Sequence, residues 1–258
     1  MSKKSYLPIL TLVTTFITIA FNSLANILPL NGLSTGEISD RFPVYFVPAG
    51  YVFSIWGVIY LALTAFSIYQ VLPKQADNPW LQRIRPIYII ASLVNIIWLA
   101  LWHYEQITFS LLAMLTLLVS LILIYMRLEI GRKQADWSTK LLLDLPFSLY
   151  LGWVSVATIA NVTTVLFANN WGGWGISPTT WAVIMLVIGG ILAGLVLFTR
   201  RDLVYALVFI WAFVGIAVKH AATQPVMLTS YLVAGLIVVF AAISLLFLRP
   251  QAAHAGQD

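Results

Sequence analysis

Phe53, Trp56 and Tyr60 fall at i, i+3 and i+7 within the stretch PVYFVPAGYVFSIWGVIY, residues 43–60. On a helix that spacing turns three aromatic rings to one side, just after Pro48 and Gly50. A second stripe sets the amide of Asn95 beside Trp98 and Trp102 at the same spacing. A third sets Tyr150, Trp153, Ala157 and Asn161 at i, i+3, i+7 and i+11. Any one stripe is an ordinary packing face, because aromatic rows and single Asn side chains commonly join helices in lipid. The three together point to a shared cavity for a flat apolar ligand with a few polar atoms, where rings stack and amides hydrogen-bond. No nucleophile beside a base and no catalytic carboxylate pair accompanies them.

Other chemistry is sparse. The chain has no cysteine, hence no disulfide, no thiolate metal site and no Cys nucleophile. His103, His220 and His254 lack metal-ligand spacing, and no metal site is expected. Asp144 is the one carboxylate placed inside an apolar run. It reads as the i+4 partner of Lys140 in an ion pair, with cation or proton binding as the functional alternative. Lys219 and His220 stand near the end of another run, where Lys snorkels to the interface. The sequon at Asn161 lies within a span and is out of reach of glycosylation.

The elements that must position these residues follow from composition. The chain is 61% hydrophobic and 9% charged, with a mean hydropathy of +0.94. A water-soluble globule carries about 25% charged residues. Apolar runs of roughly 20 residues, without two-residue alternation, select transmembrane helices over a lipid-facing barrel. The fold class is therefore all-α, a polytopic transmembrane helix bundle. Eight spans are expected, near residues 6–30, 49–72, 87–104, 107–128, 141–167, 181–198, 203–221 and 226–248. A secretory leader is the rival reading of the first, since Lys3 and Lys4 precede it and Ser23-Leu24-Ala25 resembles a cleavage site. With eight spans and a cytoplasmic N-terminus, all of the 14 Lys and Arg residues except Arg41 and Lys219 fall on the inner side. Both termini are then cytoplasmic and the chain sits in the cytoplasmic (inner) membrane. The same bias explains the net charge of +5 without nucleic acid as a partner. The glycine-rich break NNWGGWGISPTT carries two tryptophans suited to the interfacial belt.

Three of these stretches resemble motifs of the TspO/MBR family, the tryptophan-rich sensory proteins and translocator proteins. PAGYVFSIWGVIY is similar to the family's second-helix signature through Pro48, Trp56 and Tyr60. SLVNIIW matches its L-N-x-x-W through Asn95 and Trp98, and YLGWVSVATIAN its fifth-helix motif through Tyr150, Trp153, Ala157 and Asn161. Departures occur at Phe46 or Val47 and at Leu149, where prolines are expected, and at Ala91, where glutamine is common. The late cholesterol-recognition pattern is missing between Val162 and Asn170. The motif resemblance covers residues 1–170 and implies a five-helix domain there. Residues 171–258 form an additional three-helix region with a short polar tail. In that region Gly190 and Gly194 make a G-x-x-x-G that either docks helices internally or joins two copies in a homodimer.

The resemblance implies a ligand-binding or sensory membrane receptor that holds a tetrapyrrole, porphyrin or haem, or another hydrophobic small molecule. No cofactor is required, and membrane lipids are the other expected partners. A transporter of a small lipophilic substrate is the second expectation, although intramembrane charges are few and no inverted repeat is evident. Light-dependent porphyrin degradation is the one enzymatic alternative that the resemblance suggests.

Overall fold

The computed structural model describes residues 6–247, apart from the Phe247 side chain. Lys3, Lys4, Leu248, Arg249 and His254 lie outside the described residues. Within those described, there are helices and turns and no strand. Eight helices carry the fold: α1 (Leu7–Ile27), α2 (Ile55–Tyr69), α3 (Pro79–His103), α4 (Ile107–Arg127), α5 (Leu145–Ala168), α6 (Pro178–Arg200), α7 (Leu203–Lys219) and α8 (Gln224–Phe247). Seven apolar helical segments are long enough to cross a bilayer, two of them formed by α2 and α5 with the turns that precede them. The eighth helix, α7, has 17 residues, about 25 Å at 1.5 Å per residue, the short end of the spanning range. In hydrocarbon the backbone must bond to itself, which is why continuous apolar runs become helices here. Prolines occupy first-turn positions in α1, α3 and α6, where no intrahelical donor is lost. Asn78, Ser177 and Asp202 side chains accept hydrogen bonds from the first-turn amides of α3, α6 and α7.

The first five helices close a ring. α1 lies against α2 and α3, α3 against α4, α4 against α5, and α5 against α2. The last three pack on one another, and α7 joins them to the ring by lying along α5. Small residues permit these approaches. A Cβ at Gly152 would come within 3.1 Å of Val208, and one at Gly189 within 3.0 Å of Phe213. At Gly190 it would lie 2.3 Å from Val233, whereas at Gly194 it would meet nothing within 4 Å. The first glycine of the G-x-x-x-G is thus spent on α6 against α8 inside one chain.

Four features differ from expectation. The third span begins at Pro79, capped by Asn78, rather than near residue 87, so Arg83, Arg85 and Pro86 lie within α3 and not in the preceding loop. The second span starts as a 3-10 turn, Gly50–Ser54, before α2 proper. The fifth begins with Trp137–Thr139 and a π-helical turn, Lys140–Asp144. The loop after α1 contains a short helix, Thr35–Asp40, that the hydropathy pattern conceals because it is too short to span. Its start is marked by a capping box: Ser34 Oγ accepts from the Glu37 amide at 3.3 Å, and Glu37 Oε2 accepts from the Ser34 amide at 2.7 Å. Those bonds, the backbone one foremost, hold the Glu37 carboxyl below its ordinary range.

Candidate functional site

The extended segment leading to the Gly50–Ser54 turn is pinned from outside the ring by α7. The Ala49 amide donates to the Gly215 carbonyl at 3.1 Å, and Trp211 Nε1 donates to the Val52 carbonyl at 3.1 Å. A Cβ on Gly215 would stand 2.2 Å from Val52 and 3.2 Å from Pro48, so this approach requires glycine. Held this way, Pro48 and Phe53 face a cavity inside the ring, together with Trp56, Trp98, Trp102, Trp153, Ala157 and Asn161. All three stripes therefore meet. Trp56 is the hub, with its ring 6.3 Å from Trp98, 6.2 Å from Trp153 and 6.0 Å from Tyr150. Phe53 stands edge-on to Trp153 at 5.8 Å, and Trp98 stacks with Trp102 at 6.1 Å.

Tyr60, Asn95 and Tyr150 stand behind this lining. Tyr60 stacks on Trp56 at 5.4 Å and Tyr150 meets it edge-on, so both orient the hub. Asn95 accepts from Asn22 Nδ2 at 2.8 Å, linking α3 to α1. Asn161 donates to Ser110 Oγ at 3.1 Å, linking α5 to α4. The amides thus do part of the helix-joining work expected of lone Asn residues in lipid.

Thr35, Ser39, Val47, Val156, Ala160 and Thr164 complete the lining. Thr35 and Ser39 belong to the short loop helix, which roofs the cavity. Trp102 Nε1 donates to the Thr35 carbonyl at 3.2 Å, and Asn26 Oδ1 accepts from the Thr35 amide at 3.0 Å. His103 completes the anchor, its Nε2 3.1 Å from Thr35 Oγ1 and its Nδ1 3.1 Å from the Leu30 carbonyl. A carbonyl only accepts, so Nδ1 carries a proton. Asp40 at the end of the roof helix is ion-paired with Lys219, and the next residue, Arg41, with Glu105. The snorkelling expected of Lys219 thus ends on a specific carboxylate. His103 escaped the sequence reading because a lone histidine carries no spacing signal, whereas the capping box of the roof helix was there to be read.

Two buried indole donors that line this cavity, Trp98 Nε1 and Trp153 Nε1, have no partner among the described residues. Leaving such a group unpaired costs about 1–3 kcal/mol, so their clustering marks a place for water or a ligand acceptor. The cavity encloses about 40 Å³. That volume holds roughly three waters at about 10–15 Å³ each, and sites for drug-sized ligands run to about 300–1,000 Å³. A larger molecule fits here only if the roof helix moves away from Trp102 and His103.

At the opposite end of the bundle, Asp144 pairs with Lys133 at 2.9 Å rather than with Lys140. The π-helical turn re-aims the carboxylate toward the preceding loop, where Lys133 Nζ also sits 4.8 Å from the Trp80 ring centre. A second buried cluster centres on Asp202 at the α6–α7 corner. Its carboxylate accepts from Tyr125 Oη at 2.8 Å, Ser148 Oγ at 2.6 Å and the Tyr205 amide at 3.0 Å. Arg200 donates to the Ile130 carbonyl at 3.3 Å. None of this was visible as a motif, since its members lie on four separate elements.

The family model described as TSPO-like protein matches residues 8–243. That match runs through the last three helices, well past residue 170, where the recognisable motifs end. No curated protein and no solved structure matched in the parallel comparisons. With the three motif-bearing helices converging on one aromatic cavity and the family match spanning nearly all of the described residues, the chain belongs to the family of TSPO-like proteins and is an integral membrane protein.

Proposed function

We propose that the protein is a ligand-binding or sensory membrane protein that holds a flat lipophilic molecule of the tetrapyrrole kind, such as protoporphyrin, between α2, α3 and α5. One observation carries this reading: Trp56, Trp98 and Trp153 surround a single cavity while the indole N–H groups of Trp98 and Trp153 lack partners among the described residues. The rings supply stacking area, and the unpaired donors supply anchor points for acceptors on the ligand. Binding exchanges the few waters that fit the closed cavity for a ligand that parts the roof helix from Trp102 and His103. The ion pairs of Asp40 and Arg41 flank the element that must move.

Protoporphyrin added to the purified protein is expected to quench tryptophan emission saturably. Combining Trp56→Phe with Trp153→Phe weakens binding by about tenfold or more, because a stacking hub and one donor are lost together. An unchanged affinity in that double variant sinks the proposed site. We further place both chain ends in the cytoplasm. Chain alternation sets Arg83, Arg127, Arg132, Lys133, Lys140 and Arg200 at one end of the bundle and Arg41 and Lys219 at the other, the bias typical of cytoplasmic loops. Because the chain lacks cysteine, Gln134→Cys and Gly172→Cys can be labelled singly in sealed vesicles. Labelling of Gln134→Cys from the external side of right-side-out vesicles reverses the assignment.

A further inference from the structure

A larger space lies outside the ring, where α5 ends and α6 begins. It encloses about 270 Å³, against about 40 Å³ for the ring cavity. One wall is Tyr45 and Phe46 in the extended segment after the roof helix; the other is Phe167, Trp171 and Trp181. Both walls are fixed in place. Trp171 and Trp181 have ring centres 5.2 Å apart, and Trp181 Nε1 donates to the Gly173 carbonyl at 2.9 Å. Gly173 has φ +63 and a Cβ there would come 3.4 Å from Trp181 Nε1, so glycine lets the loop lie on the ring. Opposite, Phe46 is buried and edge-on to Phe213 at 6.2 Å. The space is therefore preformed, unlike the ring cavity.

Its chemistry narrows the occupant. No charged side chain among the described residues lines it, and an ion desolvated there would lack a counter-charge. Thr163, the one hydroxyl-bearing aliphatic in the wall, donates to the Ala160 carbonyl at 2.8 Å. An acyl chain gains little by leaving a bilayer that is already as apolar as the walls. An aromatic ring gains edge-on and stacked contacts that lipid tails do not offer. The volume falls just below the range of about 300–1,000 Å³ for drug-sized ligands, too small for a macrocycle. We propose that this junction cavity is a second binding site, for an uncharged aromatic molecule of two or three rings that enters from the membrane interface. It is separate from the ring cavity, which begins at Val47 and Pro48 on the far side of the same segment.

Benzophenone, an uncharged two-ring photolabel, tests this with the full chain in phosphatidylcholine vesicles. Labelling is expected to saturate, to map to residues 43–46 and 163–182, and to be suppressed by naphthalene but not by hexadecane. Gly172→Phe adds a ring at a lining position with φ −72 and no neighbour within 4 Å of its Cβ. It is expected to lower labelling about tenfold by occupying the site, and Thr163→Phe does the same from α5. The Trp56→Phe, Trp153→Phe double variant leaves this labelling unchanged, so failure of the ring-cavity reading and failure of this one are separable. Labelling spread over lipid-facing helices, equal suppression by hexadecane, or full labelling in both filled variants overturns the proposal.

Discussion

The ring cavity and the α6–α7 corner both bury polar groups in an apolar bundle, with opposite accounting. At the corner, both Asp202 carboxylate oxygens are engaged, by two hydroxyls and an amide on three elements. In the ring cavity, the indole donors of Trp98 and Trp153 have nothing to donate to among the described residues. A satisfied buried network is a lock, since breaking it strands every member at once. An unsatisfied set is a standing cost that persists in a stable fold when something else completes it. The corner therefore reads as the device that fastens the last three helices to the ring, and the cavity as the place kept open for a partner.

Removing the lock should have the largest effect. Asp202→Ala leaves the Tyr125 and Ser148 hydroxyls unpaired and uncaps α7, and should cost about 3–5 kcal/mol of stability. Thermal unfolding in detergent measures it, and a loss as small as that of a surface substitution would break the contrast. Next is Gly215→Val, which drives a side chain into Val52 and Pro48 where α7 meets the cavity wall. Overpacking of this kind costs about 1–3 kcal/mol. Because the displaced residues are Pro48 and its neighbours, ligand affinity should fall with stability, whereas Asp202→Ala acts on stability first.

How much of this was open to sequence reading depends on the range of the interaction. The three stripes were legible because helical spacing is local, and Trp56, Trp98 and Trp153 do converge. The spans were legible because lipid imposes composition. What stayed hidden is long-range or finely local. The Trp211 bond to Val52 joins residues far apart in the chain, and nothing in the sequence around either announces it. Gly215 reads in sequence as any small residue of a membrane helix, and only the approach of Val52 gives it a role. Helical spacing pairs Asp144 with Lys140, and the π-helical turn breaks that spacing.

The cavity side of the contrast predicts small stability effects and larger binding effects. Trp98→Phe and Trp153→Phe each remove an unpaired donor along with some ring area, and these changes offset one another. Stability should stay within about 1 kcal/mol of the parent, while porphyrin affinity falls about tenfold for each lost anchor. A loss of several kcal/mol in unfolding, with affinity intact, would make these tryptophans core residues of the same standing as Asp202.

The smallest effect expected is a pH dependence at the end of α7. His220 lies just beyond Lys219, with its ring 5.3 Å from Tyr45, next to the Lys219–Asp40 ion pair. Burial, then the Lys219 charge, push its pKa below the ordinary 6.5, with a contact to the Val47 backbone acting weakly the other way. The folded state therefore prefers neutral imidazole, and the unfolded chain binds the proton first as pH falls. Stability from this group is complete above about pH 6.5 and declines as pH drops from there toward the lower folded value. His220→Gln should flatten that slope in unfolding measured between about pH 7 and about pH 5. Because Tyr45 also lines the junction cavity, the same titration with benzophenone labelling asks whether protonation at α7 reaches that wall. A slope that survives His220→Gln would move the titrating group elsewhere and leave α7 a purely packed support.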